Sequence, residues 1–291
     1  MYPSHFDYYQ ATTLSELFDL LSEHGEEMIE FLAGGHSLLP MMKTGLASPD
    51  ILIDLNNIEE LHGIEQNETT TCIGAMERYS DISRNNIAKT NCPVLAEAVS
   101  LVGDIQVRNR GTLGGNLAHN DPASDPPAAI LASQATLHVH GPNGKRTIKE
   151  DDFFTGLYET SLEEDEILTK IEIQNIGNGA GSYLKKPSPS SGYAMIGTAV
   201  VLHSTDGIID TARVAVIGAV DHATRLTGVE DALVGSPATH ESAISAAEHA
   251  LEGIEDYMVM EDLQASAEYR EHLIGVYAKR ATMAAIDNLP K

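Results

Sequence analysis

The chain has 291 residues, 42% hydrophobic and 21% charged, enough for two domains, or one large and one small, around a sizeable core. No stretch reaches the ~18 consecutive apolar residues of a membrane-spanning helix, and the N-terminal Met1-Tyr2-Pro3-Ser4-His5-Phe6-Asp7 lacks the basic and apolar segments of a secretion signal, so a cytoplasmic protein is expected. With 18 basic against 43 acidic residues the formal charge is −25, which argues against nucleic-acid binding, since that rests on clustered Lys and Arg. Salt would relieve such self-repulsion, the Debye length at 1 M being about 3 Å, so a halophilic cytoplasm fits, as does ordinary acidic solubility. Cys72 and Cys92 are too few for a disulfide framework or a thiolate cluster and read as buried small hydrophobes; any iron–sulfur centre would belong to another chain.

In chain order, Thr13-Leu14-Ser15-Glu16 has the form of a capping box, and Leu14, Leu17, Phe18 and Leu21 recur at helical spacing up to Gly25. The run 28–32 predicts a strand entering the turn Gly34-Gly35, and 51–55 predicts another, which makes residues 1–55 a first αβ subdomain. A second subdomain, 56–175, is expected to hold strands at 69–76, 135–140 and 167–173 and helices at 80–87 and 94–102. In the last strand Ile167, Thr169, Ile171 and Ile173 face one side and Leu168, Lys170 and Glu172 the other. Glycine-rich 176–182 reads as an interdomain linker. Beyond it, 183–291 is predicted to be an α+β domain, with strands at 194–202 and 213–220 and helices near 227–234, 239–251 and 266–287.

Two glycine pairs carry the chemistry. Ala33-Gly34-Gly35-His36-Ser37 follows a strand, where glycines would let backbone N–H groups converge on an anion such as a pyrophosphate, or would simply form a tight turn. Gly111-Thr112-Leu113-Gly114-Gly115-Asn116 opens a long stretch of small, mostly uncharged residues, which implies close backbone packing; Thr112 and Asn116 could bond ligand hydroxyls or phosphates. Asp125, followed by Pro126-Pro127, has the pattern of an N-cap, a role compatible with a ligand contact. Gly177, Gly179 and Gly181 do not complete a GxGxxG fingerprint, no Walker-type loop occurs, and His36 and His119 lack metal-ligand spacing, so no metal site is expected.

The segments 33–43 and 110–119, with Asp152-Phe153-Phe154-Thr155-Gly156-Leu157 and the late Ala265-Ser266-Ala267-Glu268-Tyr269-Arg270, resemble the FAD-binding medium subunit of molybdenum hydroxylases over essentially the whole chain. The resemblance implies a vanillyl-alcohol-oxidase-type (PCMH-type) α+β fold, with two α/β subdomains clasping FAD and a C-terminal α+β domain. It implies pyrophosphate contacts from Ala33, Gly34, Gly35, His36 and Ser37 with Leu32 and Leu38 adjoining, and pyrophosphate and ribityl contacts from Thr112, Gly114, Gly115 and Asn116. Asp125 falls on a ribityl-contacting carboxylate, Leu168 near the FAD, and Lys185 on a lysine that reaches it. Tyr193 covers a flavin face or is simply an aromatic at a strand start; the flanking 186–192 departs from the family's Arg-containing segment.

The same resemblance implies a subunit of an FAD-dependent oxidoreductase, of carbon monoxide dehydrogenase or xanthine dehydrogenase type. Electrons would pass from the [2Fe–2S] clusters of a small subunit through FAD to an external acceptor, with molybdenum in a large subunit, in a heterotrimer that dimerises. No general base or nucleophile of this chain is then required. A self-contained FAD oxidoreductase of the same fold is the rival, and the C-terminal third offers it no clear catalytic acid or base. A scaffold that has lost its cofactor would have no need to keep Gly34, Gly35, Gly114 and Gly115.

Overall fold

The computed structural model describes residues 2–290 and arranges them around three principal sheets. The first is parallel. Strands β1 (Asp7–Gln10), β2 (Ile29–Leu32) and β3 (Ile51–Asp54) are ordered β1-β3-β2, with α1 (Leu14–Glu23) and α2 (Leu38–Thr44) in the connections. At the start of α1 the Thr13 hydroxyl accepts from the Glu16 N–H at 3.2 Å, but the Glu16 carboxylate reaches one residue past the capping-box position, to the N–H and hydroxyl of Thr12. Leu17 and Leu21 of that helix bury with Ile51 and Ile53 of β3.

Strands β4 (Ile64–Gln66) and β5 (Thr70–Gly74) are followed by the short helices α3 (Tyr79–Arg84), α4 (Asn86–Asn91), α5 (Pro93–Ser100), α6 (Ile105–Arg108), α7 (Leu113–His119) and α8 (Pro126–Ala132). Then come β6 (Ala135–Gly141), β7 (Gly144–Lys149), the small hairpin β8 (Phe154–Gly156) and β9 (Glu159–Thr160), and β10 (Ile167–Gln174). These build an antiparallel sheet of order β4-β5-β10-β6-β7, with the hairpin apart from it. The helix expected over 80–87 is interrupted at Asn85, whose extended backbone ends α3 and whose side chain accepts from the N–H groups of Ile87 and Ala88 to start α4. The expected alternation along β10 also fails at one point. A bulge between Leu168 and Lys170 puts Leu168 on the face of Ile171 and Ile173, while Ile167 packs on the opposite side with the first sheet.

The third sheet is antiparallel and sequential: β11 (Ala180–Pro187), β12 (Ala194–Thr205), β13 (Ile208–Ile217) and β14 (Thr224–Arg225), followed by α9 (Thr227–Leu233), α10 (His240–Ala246) and the long α11 (Ala267–Asp287). The glycine-rich segment is a connection only as far as Gly179. Strand β11 already begins at Ala180, and a Cβ on Gly181 would strike the Val94 side chain and the Val200 carbonyl, so α5 packs directly on this strand. Ile196, Val200 and Leu202 of β12 share a core with Leu273, Ile274 and Ala278 of α11. The small Ala199 joins the core on the side of α5 and α8, and Gly197 leaves room for the Tyr183 ring. Arg213 ties β13 to the central unit, donating to the Leu131 carbonyl at 2.9 Å and to Glu150 at 2.7 Å. Among the described residues no helix is long and apolar enough to cross a membrane.

Candidate functional site

A cavity of about 350 Å³ opens where the chain leaves β2 and β3 and meets the start of α7, a size within the usual range of small-molecule and cofactor sites. Two walls are the glycine pairs, brought into contact from about 80 residues apart. A Cβ on Gly34 would lie 2.5 Å from the Arg110 carbonyl oxygen and 2.7 Å from the Gly111 Cα. A Cβ on Gly115 would lie 2.8 Å from Thr112 Oγ1 and 3.1 Å from the Ala33 Cβ, and one on Gly114 would lie 2.5 Å from the Ala75 Cβ. These missing side chains make room for neighbouring protein. The glycines let two loops and a strand end close on one another, and the space they leave is not where a ligand's oxygens would sit.

The two loops nevertheless differ in what their backbones offer. In the first, Gly35 turns into the left-handed region at φ +72, and the Gly35 carbonyl accepts from Leu39 as α2 begins. Asn56 holds this loop by donating from Nδ2 to the Ala33 carbonyl at 3.0 Å, and His36 Nδ1 lies 3.1 Å from the Gly34 carbonyl. Among the described residues, no protein acceptor takes the N–H of Gly34, Gly35, His36 or Ser37. The second segment, for which no helix was expected, is the helix α7 with both glycines in its first turn. Its donors are committed: Leu113 N–H to the Glu77 carbonyl at 2.9 Å, Gly114 N–H to the Ala75 carbonyl at 2.7 Å and Gly115 N–H to the capping Thr112 hydroxyl at 3.3 Å. Thr112 Oγ1 thus accepts as a cap and keeps its own proton to donate, while Asn116 Oδ1 accepts from Ser124 at 3.2 Å. An anion would find its open backbone donors in the first loop, and the second is the wall against which that loop is set.

Ala33, Gly34, Gly35, His36, Ser37, Leu38, Thr112, Gly114, Gly115, Asn116 and Leu168 all line this cavity. Leu32 supports it from behind, its Cδ1 being 3.1 Å from where a Gly35 Cβ would be. Asp125, Lys185 and Tyr193 do not line it. Asp125 stands at the N-cap position before Pro126 and Pro127, but its side chain makes no capping bond. It turns to the third sheet instead, accepting from the Tyr183 hydroxyl at 2.6 Å and from Lys185 Nζ at 2.8 Å, and Lys185 also donates to the Leu101 carbonyl at 2.8 Å. Both side chains of this ion pair are buried, and burial raises the Asp125 carboxyl against the opposing pull of Lys185. Tyr193 is half exposed in the turn before β12; burial raises its phenol, and the Asp121 and Asp125 charges add to that.

The structure adds Phe31, Met41, Ala75, Met76, Tyr79 and Glu166 to the lining. Tyr79 is wholly enclosed, and burial raises its phenol with Asn116 opposing. Ala75 and Met76 continue the predicted strand to its end at the cavity, a signal present in the sequence; Tyr79 and Glu166 arrive through tertiary packing and have no local signature. Burial pushes the Cys92 thiol up to about 12, which leaves it unreactive as a nucleophile. Among the described residues no group of three or more His, Cys, Asp or Glu side chains could hold a metal ion.

Residues 4–174 match the family described as the FAD binding domain in molybdopterin dehydrogenase, and residues 182–285 match the CO dehydrogenase flavoprotein C-terminal domain. The chain is similar to the carbon monoxide dehydrogenase medium chain of Hydrogenophaga pseudoflava, 39% identical over 286 residues that cover 98% of each chain. It is 37% identical to the nicotine 6-hydroxylase medium subunit of Paenarthrobacter nicotinovorans over 278 residues, 96% of each. Among solved structures, carbon monoxide dehydrogenase from Hydrogenophaga pseudoflava lacking the Mo-pyranopterin moiety of its cofactor superposes with a TM-score of 0.94 at 39% identity, covering 100% of both chains.

Proposed function

Since this chain belongs to the family of FAD-binding domains of molybdopterin dehydrogenases, we propose that it is the flavin station of a molybdenum hydroxylase, taking electrons from a partner's iron–sulfur clusters and delivering them to an external acceptor. The membership makes it an FAD-containing oxidoreductase subunit with the PCMH-type α+β fold. FAD when bound supplies the redox chemistry, as a carrier that accepts and passes on electrons. The residues present fit it: a cavity flanked by two interlocked glycine segments, one of which presents convergent backbone donors.

The single observation that carries the assignment is the set of open N–H groups at Gly34, Gly35, His36 and Ser37 beside the wall of α7. They would donate to the diphosphate, while Thr112, Gly114, Gly115, Asn116 and Leu168 shape the opposite side and Leu32 and Leu38 fix the loop. Asp125, Lys185 and Tyr193 belong in this proposal to the flavin-bearing end, where the Asp125–Lys185 pair fastens the third sheet and Tyr193 stands in the turn beside it. Residues 1–55 and 56–175 act as the two clasping subdomains and 183–291 as the domain that closes on them.

The proposed partners are a small subunit with [2Fe–2S] clusters and a large subunit with the molybdenum cofactor, in a dimerised heterotrimer. Carbon monoxide is the proposed substrate of the complex, on the strength of the 39% identity over nearly the whole of both chains. We place the complex in a salt-rich cytoplasm because of the −25 charge. The test is stopped-flow absorbance on the reconstituted complex. Carbon monoxide should bleach the flavin band only when all three subunits are present. Bleaching by a nitrogen heterocycle instead would keep the subunit role and change the substrate, whereas reduction by an organic substrate without the partners would overturn the electron-transfer reading.

A further inference from the structure

Strands β8 and β9 are joined by a two-residue turn, Leu157-Tyr158, with Gly156 paired to Glu159. Tyr158 sits at φ +58, in the left-handed region where Gly or Asn is the ordinary occupant and a bulky side chain is an outlier. The residue is 54% exposed, so burial in the core does not explain an aromatic at this position. The turn is nonetheless fastened firmly from beneath. Asn120, fully buried and itself left-handed at φ 47, donates from Nδ2 to the Gly156 carbonyl at 2.9 Å and to the Glu159 carbonyl at 2.7 Å.

Asn120 directly follows α7, the helix whose first turn holds the second glycine pair. The residue before it, His119, lines the cavity, and its ring centroid lies 5.3 Å from that of Tyr158 with the planes tilted by 46°. At 1.5 Å per residue, His119 stands about 7.5 Å along the helix axis from Gly114. One short helix thus carries a glycine wall at its start and an aromatic pair at its end. Burial raises the Tyr158 phenol, and Asp121 and Tyr193 add to it.

Backbone strain that the surrounding structure holds in place points to a requirement for the side chain itself. We propose that Tyr158, its hairpin braced by Asn120 and its ring set against His119, is a cover for the planar ring of bound FAD, shielding one side of it from solvent. This rests on the reading of the cavity as the FAD site: with the diphosphate on the first loop, a cofactor laid along α7 would bring its ring up against the His119–Tyr158 pair at the end of the helix.

The experiment uses the assembled, FAD-loaded complex and measures iodide quenching of flavin fluorescence, with FAD content by acid release and thermal unfolding alongside. Tyr158→Asn, which suits the left-handed backbone, should keep the melting temperature at or above the wild-type value and raise the quenching constant several-fold. Tyr158→Phe should keep the wild-type quenching constant. An unchanged constant in a fully loaded Tyr158→Asn complex overturns the cover while leaving the FAD site intact. A wild-type complex that takes up no FAD overturns the site, and the cover with it.

Discussion

Gly34-Gly35 and Gly114-Gly115 are the same dipeptide set in two different backbones. The first lies in a turn, where the left-handed Gly35 leads into a run of N–H groups with no protein acceptor; the second lies in the first turn of a helix, where Glu77, Ala75 and Thr112 take every donor. In both, the space left by a missing Cβ is filled by protein: Gly34 against Arg110 and Gly111, Gly114 against Ala75. Glycine content therefore marks where chains approach closely, and binding capacity follows from which backbone donors remain open after that approach. One pair holds the site together and the other also serves it.

The most forceful way to break this comparison is to substitute each pair in turn. Gly34→Val drives a branched side chain into the Arg110–Gly111 backbone, so the two walls must part, and FAD content by acid release should fall to nothing. Gly114→Ala meets the Ala75 backbone, and its first effect should be a loss of roughly 1–3 kcal/mol in stability from overpacking, visible in thermal unfolding before any loss of flavin. Equal flavin loss in both variants at unchanged stability would erase the distinction.

The buried pair Asp125–Lys185 extends the comparison to residues outside the cavity. Lys185→Met leaves a buried carboxylate with only the Tyr183 hydroxyl, a change of about 3–5 kcal/mol by the usual behaviour of broken buried pairs. Adding Asp125→Asn should restore part of the loss, so the double variant should fall well short of the sum of the singles in urea unfolding. Strict additivity would mean the two groups do not act as a pair. A smaller effect is expected at the cap. Thr112→Val should lower stability by about 1 kcal/mol in urea unfolding, because it removes the acceptor that caps the Gly115 N–H.

The smallest effect is pH-linked. Arg146 holds the Glu166 carboxyl below its usual range through hydrogen bonds of 2.7 Å to each oxygen. A carboxyl lowered in the folded state contributes stability that is present above the ordinary Glu range and lost as pH falls through the folded value. Glu166→Gln should therefore be less stable near neutral pH, by about 1 kcal/mol or less, and match the wild type in acid. A deficit that persists undiminished at low pH would assign the effect to packing.

Much of this was legible in the sequence. The apolar runs at 51–55, 135–140 and 194–202 fall on strands, and 266–287 is the long C-terminal helix within a residue, because hydrophobic periodicity reports burial directly. The failures have physical causes. Helix α7 was hidden by Gly114 and Gly115, which disfavour helix by about 1 kcal/mol each relative to alanine; the cap and the Ala75 and Glu77 carbonyls supply what propensity withholds. Strand β11 was masked by Gly181, whose small size suits α5 packing. Leu168 reached the cavity through a bulge, and Asp125 left its cap for partners 58 and 60 residues away. The cavity residues 33–38 and Thr112, Gly114, Gly115 and Asn116 were anticipated from their motifs, but which loop keeps open donors depends on a strand end that no motif contains.

The claim that the first loop is the anion cradle is tested most directly by an experimental structure of the FAD-loaded complex. Diphosphate oxygens should lie within about 3 Å of the backbone nitrogens of Gly34, Gly35, His36 and Ser37, with the first turn of α7 opposite and its internal bonds from Leu113, Gly114 and Gly115 intact. A diphosphate seated on α7 with those internal bonds broken and the Gly34–Ser37 N–H groups turned to water would contradict it.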